Sequence, residues 1–116
     1  MKSKIIHIDR DEIKFDNGFS LTSDHSQDCC EHHWLDFSYV KPEDVEGLEF
    51  DLTNENFFNR IDGYGIELIP VNGFSVKIPG YGSNNGYYGT NIELIVWKDG
   101  SKLAGYDVSD CQEISG

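Results

Sequence analysis

Three dipeptides, Asn17-Gly18, Asn72-Gly73 and Asp99-Gly100, punctuate this 116-residue chain, and each stands between runs of apolar or β-branched residues. Asn-Gly and Asp-Gly supply the positive φ values that a two-residue type I′ hairpin requires: glycine has no Cβ to clash, and Asn and Asp tolerate the left-handed region. Such turns join antiparallel neighbours. The chain is therefore written as a series of hairpins.

The flanking runs have the period of strands. Residues 4–8 and 12–15 are short alternating or β-branched stretches, and 19–23 return from the first turn with Phe19, Leu21, Ser23 and His25 on one side and Ser20, Thr22 and Asp24 on the other. Residues 29–40 predict a further strand burying Leu35, Phe37 and Tyr39. Residues 64–71 and 74–78 flank the second turn, and 91–97 and 102–108 the third. Residues 41–47, with Pro42 at a helix start, acidic side chains behind it and Gly47 at a stop, predict one short helical turn. Residues 48–59 predict irregular structure pinned by Leu48, Phe50, Leu52, Phe57 and Phe58. The expected fold is all-β, an antiparallel sandwich or partly open barrel of about seven to nine strands with one short helical turn, in a single domain spanning residues 1–116.

Charge narrows the partners. With 21 acidic against 9 basic side chains the net charge is −12, which repels phosphate backbones and anionic membrane surfaces and argues against direct nucleic-acid or membrane binding. A basic protein or a metal cation is the easier partner. Residues 24–62 hold eleven acidic side chains opposed only by Lys41 and Arg60, so this stretch carries most of the field. The first residues lack the apolar stretch of a secretory signal, and no apolar run is long enough to cross a bilayer, so the expected location is cytoplasmic. Three cysteines, two of them adjacent, predict free thiols in preference to a disulfide framework.

Residues 24–33, Asp-His-Ser-Gln-Asp-Cys-Cys-Glu-His-His, gather three imidazoles, two thiols and three carboxylates. Imidazole and thiolate suit zinc and its neighbours. If the segment is extended, alternate residues point the same way about 6.6–6.8 Å apart, which pairs Cys30 with His32 or Glu31 with His33. A complete site would draw on His25 across the turn, with His7 or Cys111 as outside ligands. The metal reading is thus His25, Cys30 and His32 around zinc, with Glu31 as the base of a metal-dependent hydrolase. The paired CxxC and HExxH spacings are absent. A cysteine nucleophile is disfavoured because Asp28 and Glu31 raise the pKa of the thiols between them. In the purely structural reading one thiol fills an apolar gap, Asp28 caps the turn and the histidines face water.

Residues 80–89, Gly-Tyr-Gly-Ser-Asn-Asn-Gly-Tyr-Tyr-Gly, are too rich in glycine to predict a strand. Tyrosines on such a loop offer rigid amphipathic contact area, or rings that cover the core from a bulged turn. Ring stacking through Tyr81, Tyr87 and Tyr88 would also suit a carbohydrate. No Gly-Lys-Ser/Thr follows, so this is not a phosphate loop.

Taken together, His-Ser-Gln-Asp-Cys-Cys-Glu at 25–31 after a hairpin strand, and Ser-Asn-Asn-Gly-Tyr-Tyr at 83–88 after an Ile/Val-rich strand, resemble a family of small bacterial and phage proteins grouped as a domain of unknown function. The resemblance covers residues 13–36 and 74–97. The family pattern joins Gln-Asp-Cys-Cys-Glu to a later Ser-Asn-Gly-Tyr-Tyr; here the second motif carries one additional Asn, and His32 and His33 fall outside the pattern. The resemblance implies a compact single domain, brings no activity or cofactor, and suggests that the two motifs meet on one surface. The expected function is a non-enzymatic binding module without a resident cofactor, contacting its partner through His25, Asp28, Cys29, Cys30, Glu31, Asn85, Tyr87 and Tyr88. A basic protein is the expected partner, and mimicry of nucleic-acid charge is one form this could take.

Overall fold

Hairpins organise the first half of the molecule, which is described by a computed structural model over residues 2–24, 32–83 and 92–115. Strand β1 (Ser3–Ile8) pairs antiparallel with β2 (Glu12–Phe15), and β2 turns back into β3 (Phe19–Asp24). The connection holds three residues, Asp16-Asn17-Gly18, because Lys14 pairs with Ser20 and only Gly18 takes a positive φ, 86°. The expected hairpin is present, but its turn places one residue, not two, in the left-handed region. At Asp99-Gly100 both residues do so, with φ of 51° and 85°, and β9 (Glu93–Lys98) folds tightly onto β10 (Ser101–Asp107).

These strands form a six-stranded sheet in the order β10-β9-β3-β2-β1-β5, where β5 is Glu49–Phe50. The second sheet contains β6 (Phe58–Ile61), β7 (Gly65–Leu68), β8 (Val76–Ser83) and β11 (Glu113–Ser115), with β4 (His32–Leu35) also on β8. The chain is all-β with little helix, and one sheet curls into a half-barrel. Among the described residues eleven strands replace the expected seven to nine, because β5 and β11 are too short to register as alternating patterns. Among the described residues one pairing is parallel, β11 against β8, and the rest are antiparallel.

The helical turn α1 (Pro42–Val45) forms where expected, with proline in its first turn and Gly47 at positive φ beyond it. Two further expectations fail for local reasons. The strand expected over 29–40 stops at Leu35: the Asp36 side chain accepts from the Ser38 N–H and starts a 3-10 turn, Phe37–Tyr39. The alternation is lost there, so Leu35 and Phe37 are buried while Tyr39 is exposed. The Asn72-Gly73 hairpin is wider than a two-residue turn, since Leu68 pairs with Val76. Asn72 bonds instead to groups outside that loop, its side chain accepting from the Glu49 N–H at 2.8 Å and donating to Gly47 O at 3.0 Å.

One core lies between the sheets. Ile13, Leu21, Leu94 and Val96 from the first sheet and Leu35, Ile66, Leu68 and Ile78 from the second are fully buried, each worth about 1.5–3 kcal/mol relative to exposure. Phe57 and Phe58 meet Tyr106 of the opposite sheet with ring centroids 5.8 and 5.2 Å apart. Of the five expected anchors of residues 48–59, Phe50, Leu52, Phe57 and Phe58 are buried and Leu48 partly so, but the segment is not wholly irregular: it holds β5, a 3-10 turn over Glu55–Phe57 and the start of β6. No helix among the described residues is long and apolar enough to cross a membrane.

Candidate functional site

Two crossings between the sheets share the same strand ends. Asp24, the last residue of β3, pairs with Glu93, the first of β9, and His32, the first of β4, pairs with Ser83, the last of β8. Residues 25–31 connect β3 to β4, and residues 84–91 connect β8 toward β9. Each segment therefore runs from one hydrogen-bonded strand pair to the other, in opposite chain directions. Ser23 reinforces this junction across the sheets, its hydroxyl accepting from the Leu35 N–H at 3.2 Å.

His25, Asp28, Cys29, Cys30, Glu31, Asn85, Tyr87 and Tyr88 all lie outside the described residues. Of the expected metal set, only His32 lies within them, as the first residue of β4. Among the described residues no three His, Cys, Asp or Glu side chains are grouped to hold a metal ion. His7 is exposed on β1, its Nε2 3.3 Å from Asp9 Oδ2. Cys111 is fully buried, and burial is the chief reason its thiol pKa is pushed up, which keeps it protonated and inert.

Beneath the junction the chain builds a bracket that composition alone does not reveal. His33 is buried on the inner face of β4 with Nδ1 2.5 Å from Gln112 Oε1. Gln112 donates its Nε2 to Ser109 O at 2.6 Å. Because a carbonyl only accepts, that bond orients the amide and leaves Oε1 facing the imidazole, so His33 Nδ1 must carry the proton. Ser109 Oγ also accepts from the Ile92 N–H at 3.2 Å, and the Val108 N–H donates to Ile92 O at 2.9 Å. The 107–112 segment thus ties down both β4 and the approach to β9. Its own turn is set by Asp107, whose carboxyl is held below its usual pKa, first by the Ser109 hydroxyl and then by the Ser109 N–H.

The expected glycine-rich loop begins later than residue 80, because Gly80, Tyr81, Gly82 and Ser83 belong to β8. Glycine is required by the crowded inner face. A Cβ on Gly80 would stand 2.1 Å from Cys111 O, and one on Gly82 would stand 2.1 Å from Gln112 Oε1 and 2.5 Å from His33 Nδ1. The sequence signal was the i, i+2 spacing of two glycines after an apolar strand.

On the outer face Tyr81 stands opposite Trp34, ring centroids 5.7 Å apart, and the Arg10 guanidinium lies 5.1 Å over the Trp34 ring. Tyr81 is therefore half-buried by Trp34, where the sequence placed it in a loop with Tyr87 and Tyr88. Tyr64 and Tyr39 continue the tyrosine group, and burial, followed by the neighbouring Tyr39, raises the Tyr64 pKa.

Comparison with protein-family models, with curated proteins and with solved structures finds no match to this chain.

Proposed function

We propose that the protein is a non-enzymatic binding module that meets its partner where the 25–31 and 84–91 segments cross between the sheets. The observation that carries this reading is the double pairing of Asp24 with Glu93 and His32 with Ser83. Those pairs bring together the ends of two segments that are more than fifty residues apart in the chain. One segment supplies Asp28, Cys29, Cys30 and Glu31, the other Asn85, Tyr87 and Tyr88. Carboxylates beside aromatic rings suit a basic, partly apolar surface, and the net charge of −12 steers such a partner inward.

The experiment is capture of basic proteins by the immobilised full chain at increasing salt, comparing wild type with Asp28→Asn/Glu31→Gln and with Tyr87→Ala/Tyr88→Ala. The module reading expects both double variants to lose capture, and binding to weaken as salt screens the acidic field. Capture that survives both pairs of substitutions and ignores ionic strength would overturn it.

A further inference from the structure

Far from that junction, at the opening end of β8, Phe74 is 92% exposed. A large ring held so openly is unusual for a side chain whose natural tendency is burial. The loop that carries it is tied down chiefly on the side before it, and after it the Ser75 hydroxyl donates to Glu67 Oε2 at 3.1 Å. The Ile69 N–H donates to Phe57 O and the Val71 N–H to Glu49 O, both at 2.8 Å, while Asn72 bridges Gly47 and Glu49. Gly73 packs so closely on Leu48 that an added Cβ would lie 2.5 Å from Leu48 Cδ2. Phe74 is therefore presented from an anchored loop, and little conformational freedom is lost if it becomes buried by a partner.

Phe74 stands at the edge of a groove of about 330 Å³ and lines it on one side, the other apolar walls being Tyr39, Val40, Leu48 and Val76. That volume sits near the lower end of the range for small ligand pockets, roughly 300–1,000 Å³, and is roomy for one phenyl ring. Its rim carries one charge of each sign, Asp44 and Lys77. Both are exposed, and neither makes an ion pair with another described residue.

We propose that this face is an isologous interface between two copies of the chain, in which Phe74 of each copy fills the groove of the other and Asp44 pairs with the partner copy's Lys77. A two-fold contact must be self-complementary, so one patch has to contain both the projection and its receptacle and both members of any ion pair. This patch contains all four. A basic or acidic foreign partner would need one sign of charge on the rim, which carries both. Ser83 is seven residues along β8 from Val76, about 23 Å at the rise of a strand, so this face lies well away from the paired strand ends of the proposed binding site.

Sedimentation velocity of the untagged full chain, from about 1 to about 300 μM in about 0.15 M salt, where the Debye length is about 8 Å, tests the proposal. Wild type is expected to show a concentration-dependent monomer–dimer equilibrium, and Phe74→Ala to weaken it by about tenfold or more. Asp44→Lys and Lys77→Asp are each expected to be monomeric, since each places two like-charge contacts across the two-fold. Mixed in equal amounts they are expected to form a heterodimer, whose two contacts are both attractive. All three residues are exposed, so the substitutions are expected to leave the fold intact. A wild-type chain that stays monomeric throughout, a dimer indifferent to these substitutions, or a mixture that fails to associate would overturn the proposal.

Discussion

His33 Nδ1 and Gln112 Oε1 stand 2.5 Å apart, although 79 residues separate them in the chain. The bond holds β4, which ends one crossing segment, to the 107–112 bracket, which anchors the approach to the other. Gln112→Ala removes the acceptor of a buried imidazole N–H, and a loss of about 1–3 kcal/mol in folding stability is expected. Urea denaturation checks it, with Glu113→Ala, on an exposed neighbour, expected to stay near wild type.

Gly80 and Gly82 are distinguished by what crowds them. At Gly82 the obstructing atoms belong to the Gln112 and His33 side chains, which can shift, whereas at Gly80 the nearest atom is the backbone oxygen of Cys111. Gly82→Ala is expected to cost about 1–3 kcal/mol, in the range of overpacked cores. Gly80→Ala is expected to cost more, because β11 would have to leave β8. Comparing urea midpoints orders the two variants, and equal or reversed losses would contradict the crowding account.

Acid lability should follow three carboxyls at the surface, Asp51 among them half-buried. Asp107 is lowered by the Ser109 hydroxyl and N–H, Asp51 by the Thr53 hydroxyl and N–H, and Asp9 by the N–H groups of Asp11 and Glu12, all from an ordinary value of 3.8. A carboxyl lowered on folding contributes stability above its unfolded pKa and loses it as pH falls through the folded one. Stability is therefore expected to be flat in these groups above pH 3.8 and to decline below it. Ser109→Ala and Thr53→Ala are expected to flatten that acid limb, read from thermal unfolding against pH.

Cys111 makes a different pH prediction. Its thiol is raised above the ordinary 9.0, chiefly by burial. The stability linked to it is present below 9.0 and is lost as pH rises toward the folded value. In a Cys29→Ser/Cys30→Ser background the remaining thiol is expected to resist alkylation at neutral pH and to react only as fast as the protein opens. Modification at the rate of a free thiol in the native protein would show that the site is accessible.

Local chemistry wrote part of this fold directly into the chain. Asp99-Gly100 closes its hairpin because two adjacent residues accept positive φ, and residues 42–47 make one helical turn because proline opens it and Gly47 closes it. The alternation around Phe19 and Leu21 marked the buried face for the same reason, since side-chain direction in a strand depends only on parity. Other features depend on groups remote in sequence. That Gly80 and Gly82 lie in a strand follows from Cys111, His33 and Gln112 pressing on one face, and no window around residue 80 contains that crowding. Asp36 turned an apparent strand into a 3-10 turn and exposed Tyr39, and Asn72 bonded to Gly47 and Glu49 in place of closing a tight turn. The pairing of the strand ends that bracket residues 25–31 and 84–91 belongs to this second kind. It requires β3 to lie beside β9 and β4 beside β8, pairings between strands about fifty or more residues apart, and which strand a given edge accepts is settled only when both sheets close on their common core.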